Sequence, residues 1–458
     1  MESKRNIFDL AEFAIKYIER TNTNLSGAEV YFNFNKYLNI EIEENSIKNS
    51  ELGSDGGASV RLIDKKGSLG FSFTNRLEKK HIEAIIKIAL KMMKSGTEDP
   101  DFKSLPLKNE NYFHVKDLYD KNIKNITIED SIKYVENLIH ICNEDDLAIS
   151  QSANFSSSYS KSYILNSNNL DVYGKETVCS ISSNVIVKDK LSKDTSFGFE
   201  YQSERKLLNL NSENVIRTAL DNAKRNLNRK KIKNMRIPLI LTPNGTISLI
   251  LKPIASAVNA ESFQYKRSFL VDRRGEAIGS EYLNIEDNSL IDGAVGSANF
   301  DGEGVPCKNK KIIEKGIFLK SGLLHNSYTA GKEGVESTGN ASRNSYSSLP
   351  SIGITNFILV PGNVSKNELI EEIKEGILLD YTGDRPNIST GDFSGLIMQG
   401  NLIKNGEIKE PLNETMFGIN LLDLFKNIEA VSKEFKTYGV FKAPFVKVSD
   451  VQIIGGNN

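Results

Sequence analysis

The chain has 458 residues with 39% hydrophobic and 26% charged side chains, which predicts a globular protein of roughly two to three domains. Its 58 Lys+Arg nearly balance its 59 Asp+Glu, for a net charge of -1, so a dedicated binder of nucleic acid or anionic membranes is not expected. The three Cys and four His lie far apart along the chain. This spacing excludes a disulfide scaffold, a CxxC zinc site and a helical His pair.

Helix and strand patterns alternate in the first half of the sequence. Apolar residues that recur every three or four positions predict helices, and alternation of apolar with polar residues predicts half-buried strands. The helices are predicted at residues 8–18, 77–93, 127–142, with Thr127 as N-cap, and 214–227. The strands are predicted at residues 28–34, 38–43, 58–63 and 68–73, and as several short strands between residues 147 and 201.

Residues 229–236 are rich in Lys and Arg and end just before Pro238. We place a domain boundary here, between an N-terminal domain of residues 1–235 and a C-terminal domain of residues 236–458.

Short strands outnumber helices beyond this boundary, without a βαβ alternation. The strands are predicted at residues 237–241, 269–271, 312–319, 356–360, 395–403 and 445–448. The helices are predicted at residues 246–261, interrupted by Pro253, at 366–375, and at 421–427 continuing toward Val431. The sequence therefore predicts an α+β protein, in which a mixed helix and sheet domain precedes a mostly antiparallel, β-rich C-terminal domain.

A nucleophile is the first kind of site to consider. Cys307 could pair with His325 as thiolate and imidazole, and Ser327 or Ser345 could use the same His. No catalytic signature surrounds any of these residues, and a single Cys is usually a small buried hydrophobe. We therefore do not favour nucleophilic catalysis.

Three carboxylates, those of Asp380, Asp384 and Asp392, lie close together along the chain. Two carboxylates side by side could serve hydrolysis or bind a hard cation. Asp beside Gly more often builds tight turns by bonding the neighbouring backbone, and we favour this interpretation.

Two further segments are explained without a ligand. The Gly-rich residues 296–304 predict a loop with close backbone contacts, since no helix follows them as one does in a phosphate site. The basic residues between 205 and 236 lack the interleaved aromatic residues that stack on bases, and they predict a solvated surface.

Residues 336–362 carry a family resemblance. They include Ser337-Thr-Gly-Asn340, Thr355-Asn356 and Pro361-Gly362, and Thr390-Gly-Asp-Phe-Ser394 follows them. This order of pieces resembles the TldD/PmbA family, historically called modulators of DNA gyrase, and in particular its PmbA (TldE) arm. Further matching pieces lie at residues 41–43, 57–61, 70–71, 74–75, 98–102, 399–400 and 405–408.

The resemblance implies a two-domain subunit that pairs with a related subunit around an internal chamber. In this family the TldD-type subunit binds zinc through two His of an HExxxH helix and a distant Cys near the C-terminus, and it cleaves peptides. The Glu of that motif is placed to activate the metal-bound water. Unfolded peptides are thought to enter as extended strands.

The sequence departs from the family pattern at the metal site. Leu251 and Ser256 stand where the two His ligands would lie, Lys252 replaces the Glu, and Tyr438 replaces the Cys. Leu has no donor atom, Ser and Tyr are poor neutral zinc ligands, and Lys repels a cation. The resemblance therefore implies a subunit without a metal or other cofactor, with zinc only in a TldD-type partner.

The resemblance also suggests which residues line the chamber. They are Ser337, Thr338, Gly339, Asn340, Thr390 and Asp392.

These observations leave three hypotheses. The first is a non-catalytic subunit of a TldD/TldE-type zinc metalloprotease that cleaves unfolded peptides, paired with a TldD-like HExxxH subunit or with itself as a homodimer. The second is a non-proteolytic binding protein that acts on a toxin, an antitoxin or DNA gyrase. The third is an independent hydrolase that uses Cys307 or the Asp cluster. Because no targeting segment or membrane span is visible in the sequence, we expect a cytoplasmic protein.

Overall fold

The computed structural model describes residues 4–21 and 25–456, which form helices and two large β-sheets. The helices are Lys4–Thr21 (α1), Lys79–Ser95 (α2), Lys121–Asn125 (α3), Ile128–Asn143 (α4), Ser212–Arg225 (α5), Pro243–Thr246 (α6), Lys252–Ala257 (α7), Ala260–Gln264 (α8), Ser327–Glu333 (α9), Lys366–Glu371 (α10) and Leu421–Lys426 (α11). None of the helices in these described ranges has the length and apolar composition that crossing a bilayer requires.

The first sheet has six antiparallel strands in the order β3-β2-β1-β4-β5-β6. The strands are Leu25–Glu43 (β1), Ser46–Asp64 (β2), Leu69–Thr74 (β3), Ala148–Asn166 (β4), Asp171–Lys188 (β5) and Thr195–Glu204 (β6). One face of this sheet buries Phe32 under α1 and α2, and Ile40 and Phe155 under α4 and α5. Alternate residues of each strand therefore pack on the helices, as a half-buried strand requires.

The second sheet has 11 strands and contains the larger core. The strands are Met235–Leu241 (β7), Ile285–Asn288 (β8), Asn309–Glu314 (β9), Ile317–Phe318 (β10), Phe357–Leu359 (β13), Glu375–Thr382 (β14), Asp392–Lys404 (β15), Glu407–Pro411 (β16), Met416–Asn420 (β17), Ile428–Tyr438 (β18) and Phe441–Ile454 (β19). A separate short pair consists of Ala341–Ser342 (β11) and Ser351–Ile352 (β12). Two pairings, β7 with β14 and β13 with β19, are parallel, and the other pairings in the second sheet are antiparallel.

The structure confirms the α+β class and corrects several boundaries. Residues 28–34 and 38–43 belong to one strand, β1, because the residues between them also pair with β2 and β4. Residues 269–271 form turns and not a strand. The predicted helix at 366–375 ends at Glu371, and the one at 421 ends at Lys426, since β14 and β18 begin shortly afterwards.

Pro253 does not interrupt the helix predicted over residues 246–261. The chain forms α6, a π-helical turn at Ile247–Leu251, and then α7, with Pro253 in the first turn of α7. The helical run is continuous, and the Lys252 N–H bonds the Ile247 carbonyl five residues back. This wider π-helical turn directly before Pro253 accommodates the proline, which has no N–H of its own to bond one turn back. The helix instead ends at Ala257, and Asn259 caps the separate helix α8.

The last strand of the first sheet, β6, ends at Glu204, and the first strand of the second sheet, β7, begins at Met235. The division of the chain into two domains at residues 235 and 236 stays a prediction.

A buried network of four charges joins the two halves of the chain. Arg61 of β2 lies 2.7 Å from Glu29 of β1 and 2.9 Å from Glu303 of the second half. Arg343 pairs with the other oxygen of Glu29, and its Nε donates to the Gly302 carbonyl at 2.7 Å. The four charged side chains are at most 8% exposed. Two cations therefore balance two anions inside the molecule.

This balance shifts the protonation of Glu29. Burial alone would raise the pKa of Glu29, but Arg343 and Arg61 outweigh it and hold the pKa below its ordinary value of 4.5. Because the folded pKa is the lower one, the stabilisation that Glu29 provides is complete above pH 4.5 and is lost as pH falls through the lowered pKa.

We expect Arg61→Met to destabilise the protein by about 3–5 kcal/mol, because it leaves two carboxylates in the interior without their shared cation. Denaturant unfolding at neutral pH measures the effect. The matched control is Arg217→Met, which breaks an ion pair with Glu213 whose side chains are 59% and 57% exposed, and this change should cost less than about 1 kcal/mol. Equal costs for the two variants would contradict a stabilising role of the buried network.

Candidate functional site

From the sequence, the family's zinc-binding helix is expected to correspond to residues around Leu251, Lys252 and Ser256. Leu251 ends the π-helical turn and is fully buried in the core of the second half. Lys252 and Ser256 are exposed one turn apart, and the Ser256 hydroxyl donates to the Lys252 carbonyl at 3.1 Å. The residue expected at the position of the first His is thus part of the core, and the one expected at the position of the Glu is an exposed Lys.

Tyr438, at the position of the Cys ligand, binds a carboxylate from the first half. Its hydroxyl donates to Glu200 at 3.1 Å, and the Lys436 ammonium lies 2.8 Å from the same carboxylate oxygen. Burial and the neighbouring Glu200 both raise the pKa of Tyr438. The phenol therefore stays protonated and acts as a hydrogen-bond donor between β18 and β6.

These side chains do not fit a zinc ion. Zinc needs deprotonated or imidazole donors in a tetrahedral set, whereas the chain presents a hydrocarbon, an ammonium, an aliphatic hydroxyl and a protonated phenol at the four positions. Within residues 4–21 and 25–456, no group of three or more His, Cys, Asp and Glu could hold a metal ion.

Residues Ser337 to Asn340 form a compact turn that is held by its own polar groups. The Thr338 hydroxyl accepts from the His325 N–H at 2.7 Å and lies 2.8 Å from the Asn340 amide oxygen. The Ser337 hydroxyl accepts from the Gly339 N–H at 3.3 Å. The hydroxyls of this block therefore serve the fold.

Asn340 connects the turn to a buried ion pair. Its amide nitrogen donates to Asp287 and to the Gly353 carbonyl, both at 2.8 Å. The Lys310 ammonium lies 2.9 Å from Asp287 and 2.8 Å from the Asn340 oxygen. Lys310 and Asp287 are 9% and 0% exposed, so both groups depend on these contacts.

A polar cleft of about 460 Å³ lies between the first sheet and the second half. Gly339 and Asn340 line it, together with Asn33, Ser162 and Arg343. Ser337 and Thr338 do not line this cleft. The structure therefore places part of the predicted chamber lining at a cleft.

Thr390 and Asp392 lie elsewhere. Thr390 lines a second cleft, together with Ser268 and Asn420. Asp392 is exposed. Its carboxylate accepts a hydrogen bond from the Asn420 side-chain amide at 2.9 Å, and its backbone N–H donates to the Thr390 hydroxyl at 3.2 Å. The hydrogen bonds from Asn420 and Thr390 lower the pKa of Asp392. The predicted lining residues thus divide between two clefts.

The structure does not bring Cys307 together with His325. The Cys307 thiol lies 3.7 Å from the Gly339 carbonyl, and burial raises its pKa to about 12. His325 contacts Thr329 through Nδ1 and Glu333 through Nε2. A buried, protonated thiol is a poor nucleophile. This argues against Cys307 as the nucleophile of an independent hydrolase.

The Asp cluster also resolves into separate structural contacts. Asp380 is buried and accepts from the Thr242 hydroxyl at 2.5 Å. Asp384 accepts from the Leu396 N–H at 3.0 Å. Each carboxylate has its own partner, which supports a structural role over a shared cation site.

Arg205 contradicts the prediction of a solvated basic segment. It is 3% exposed and binds Glu176 at 2.7 Å. It also donates to the carbonyls of Val295 and Ser297 at 2.5 and 3.0 Å. The guanidinium therefore fixes the Gly-rich loop against the first sheet, a role that no local sequence pattern indicates.

Three family models match the chain. They are PmbA/TldA metallopeptidase domain 1 over residues 28–93, the central domain over residues 121–227, and the C-terminal domain over residues 234–455. The chain belongs to the PmbA/TldD metallopeptidase family, as the sequence resemblance predicts.

Curated relatives carry metalloprotease names. A metalloprotease of Methanocaldococcus jannaschii is 29% identical over 420 residues, which cover 89% of this chain and 90% of the relative. Metalloprotease PmbA of Escherichia coli O157:H7 is 25% identical over 463 residues, which cover 99% of this chain and 98% of the relative.

The fold also matches a solved structure, that of TldE from Thermococcus kodakarensis. The TM-score is 0.86 at 24% sequence identity, and the match covers 98% of this chain and 100% of that one. At this identity the comparison shows a shared fold.

We expect Gly339→Ala to destabilise the protein more than Gly334→Ala. The two glycines have φ of +71° and +70°, so an Ala at either position costs a similar left-handed penalty of about 1–2 kcal/mol. A Cβ at Gly339 would lie 2.6 Å from the Pro306 carbonyl oxygen, whereas one at Gly334 would have no neighbour within 4 Å. The difference should be about 1–3 kcal/mol by denaturant unfolding. Equal losses would mean that the turn at Ser337 to Asn340 relaxes without cost.

Proposed function

We propose that this chain is the metal-less subunit of a TldD/TldE-type zinc metalloprotease that cleaves unfolded peptides. In this complex a TldD-like HExxxH subunit holds the zinc and performs the cleavage. This chain contributes one wall of the shared chamber and holds substrate.

One observation carries the proposal: a chain of a metallopeptidase family has non-ligand residues at each of the four positions that the zinc subunit uses. Leu251 is part of the core, and the Tyr438 hydroxyl is bound to Glu200. Replacing either residue by a ligand would therefore disturb a packed or hydrogen-bonded site. These contacts support the proposal that the chain holds no zinc at these positions.

The chain contributes no general acid, base or nucleophile to this chemistry. Lys252 stands where the resemblance places the catalytic Glu, and this exposed Lys has no carboxylate with which to activate a water. The residues of this chain would act by orienting an extended peptide and excluding water around it.

The test is co-expression of the chain with an HExxxH relative from the same genome. We expect the two chains to co-purify, the complex to contain one zinc ion held by the relative, and an unstructured peptide to be cleaved. Lys252→Ala should leave cleavage unchanged, whereas Glu→Gln in the partner's HExxxH motif should abolish it. Zinc is measured by elemental analysis and cleavage by mass spectrometry.

Stoichiometric zinc with peptide turnover in the isolated chain would contradict the proposal. A chain that does not associate with the HExxxH relative, and adds nothing to its cleavage, would favour the alternative of a non-proteolytic binding protein.

A further inference from the structure

Helices cover only one face of the first sheet. The opposite face, here called the open face, consists of alternate residues from Asn33 to Glu41 in β1, Asn154 to Ser162 in β4 and Gly174 to Ser182 in β5. Each of these side chains is half-buried or exposed. This part of the sheet therefore has no apolar layer on its second side.

The open face has an unusual composition. Ser and Asn occupy most of its positions, and its charged residues are Glu41 and Glu176. No Lys or Arg occurs at these alternate positions, although the chain has 58 of them. Glu176 is paired with Arg205 at 2.7 Å, so the face offers neutral hydrogen-bonding groups and the negative charge of Glu41. It lacks the apolar centre of a stable protein interface.

Two clefts lie on this face, one after the other. The cleft of about 460 Å³ includes Asn33, Asn35 and Ser160, and it is bounded by the second half of the chain. A smaller cleft of about 370 Å³ includes Asn39 and Ser158. From Asn33 to Asn39 the strand rises by roughly 20 Å, a length that accommodates about six residues of extended peptide.

Hydroxyl groups along these clefts are available to a ligand. Those of Ser156, Ser158 and Ser162 make no hydrogen bond to another residue of the described chain. A hydroxyl can donate or accept. An extended peptide backbone, which presents N–H and C=O groups in alternation, matches such a surface regardless of its side chains.

Carboxylates outnumber free cations beside the clefts. Glu41, Glu51 and Asp55 form no ion pair with a described residue, although Glu51 accepts from the Tyr37 hydroxyl at 2.7 Å. Among the cations that line the larger of these two clefts, Arg343 pairs with Glu29, whereas Lys175 contacts only the neutral Tyr119 ring, at 3.9 Å, and keeps its charge. Three carboxylates without an ion pair thus exceed one such cation, and the net uncompensated charge is negative.

We propose that the open face is a binding track for an extended peptide segment that carries Lys or Arg side chains. The serine and asparagine groups bind the peptide backbone, and the unpaired carboxylates select cationic side chains and repel acidic ones. This inference rests on the proposed function in that it takes peptide as the substrate class.

The test uses the isolated, zinc-free chain and two fluorescein-labelled peptides of equal length, about twelve residues, made of Gly-Ser-Lys or Gly-Ser-Glu repeats. Fluorescence anisotropy at low ionic strength measures both affinities. We expect the Lys peptide to bind at least about tenfold more tightly than the Glu peptide, and added salt to reduce the difference.

Two opposite substitutions at one position locate the track. Ser158→Lys should weaken binding of the Lys peptide about five- to tenfold, and Ser158→Asp should strengthen it, by the Coulomb energy of one added charge. Ser95, exposed near the end of α2, is the matched control, and Ser95→Lys and Ser95→Asp should leave the affinity unchanged.

Equal affinity for the two peptides would overturn the charge selection. Changes in the same direction for both Ser158 variants, or equal changes at Ser95, would overturn the location. Because binding by the isolated chain requires neither zinc nor a partner, these outcomes are independent of the co-expression test. Failure to form an active complex would overturn the proposed function while leaving the track intact.

Discussion

Arg61 joins the two halves of the molecule from inside, because one of its two buried carboxylate partners, Glu29, comes from the first half of the sequence and the other, Glu303, from the second. An unpaired charge at this depth would cost several kcal/mol. The loop that carries Glu303 must therefore lie against β1 and β2 whenever the protein is folded. Glu303 in turn accepts from the Ser327 N–H at 2.8 Å, which ties the start of α9 to the same point.

The position of this loop also determines the position of the turn at Ser337 to Asn340. Asp301, two residues before Glu303, accepts from the Ala341 N–H at 2.8 Å. Burial and the nearby Glu303 raise the pKa of Asp301 to about 7. The carboxyl is held by three backbone N–H groups, those of Ala341, Glu303 and Val305. The turn at Ser337 to Asn340 therefore fixes one wall of the cleft of about 460 Å³, and its polar groups are occupied in doing so.

Local patterns predict much of the fold but not the contacts between its halves. The helices at 77–93 and 127–142 follow from apolar spacing, and Thr127 caps its helix as predicted, because both signals act within a few residues. Residues 269–271 are apolar enough for a strand yet form turns, since no neighbouring strand pairs with them. The basic neighbours of Arg205 predict a solvated side chain, but its partners lie 29 residues away at Glu176 and about 90 residues away at Ala294 and Val295.

The candidate site shows the same division. The sequence alone argues against a zinc site, because the expected ligand and base positions hold Leu251, Lys252, Ser256 and Tyr438. That Tyr438 binds Glu200 is not visible, because 238 residues separate them. The open face likewise cannot be predicted from the sequence. The alternating Ser and Asn residues of β4 form a surface only when β1 and β5 pair on either side of this strand.

The buried network has a consequence for synthesis on the ribosome. Glu29 and Arg61 are made well before Glu303, and at roughly 5–20 residues per second the interval between Glu29 and Glu303 is about 14 to 55 s. During this time the first sheet can assemble, but its charged pair lacks half of its partners. The nascent first half is therefore a partly folded intermediate that can complete its charge network only after Glu303 and Arg343 are translated. A translational pause between residues 204 and 303 would lengthen the exposure of this intermediate to chaperones and proteases.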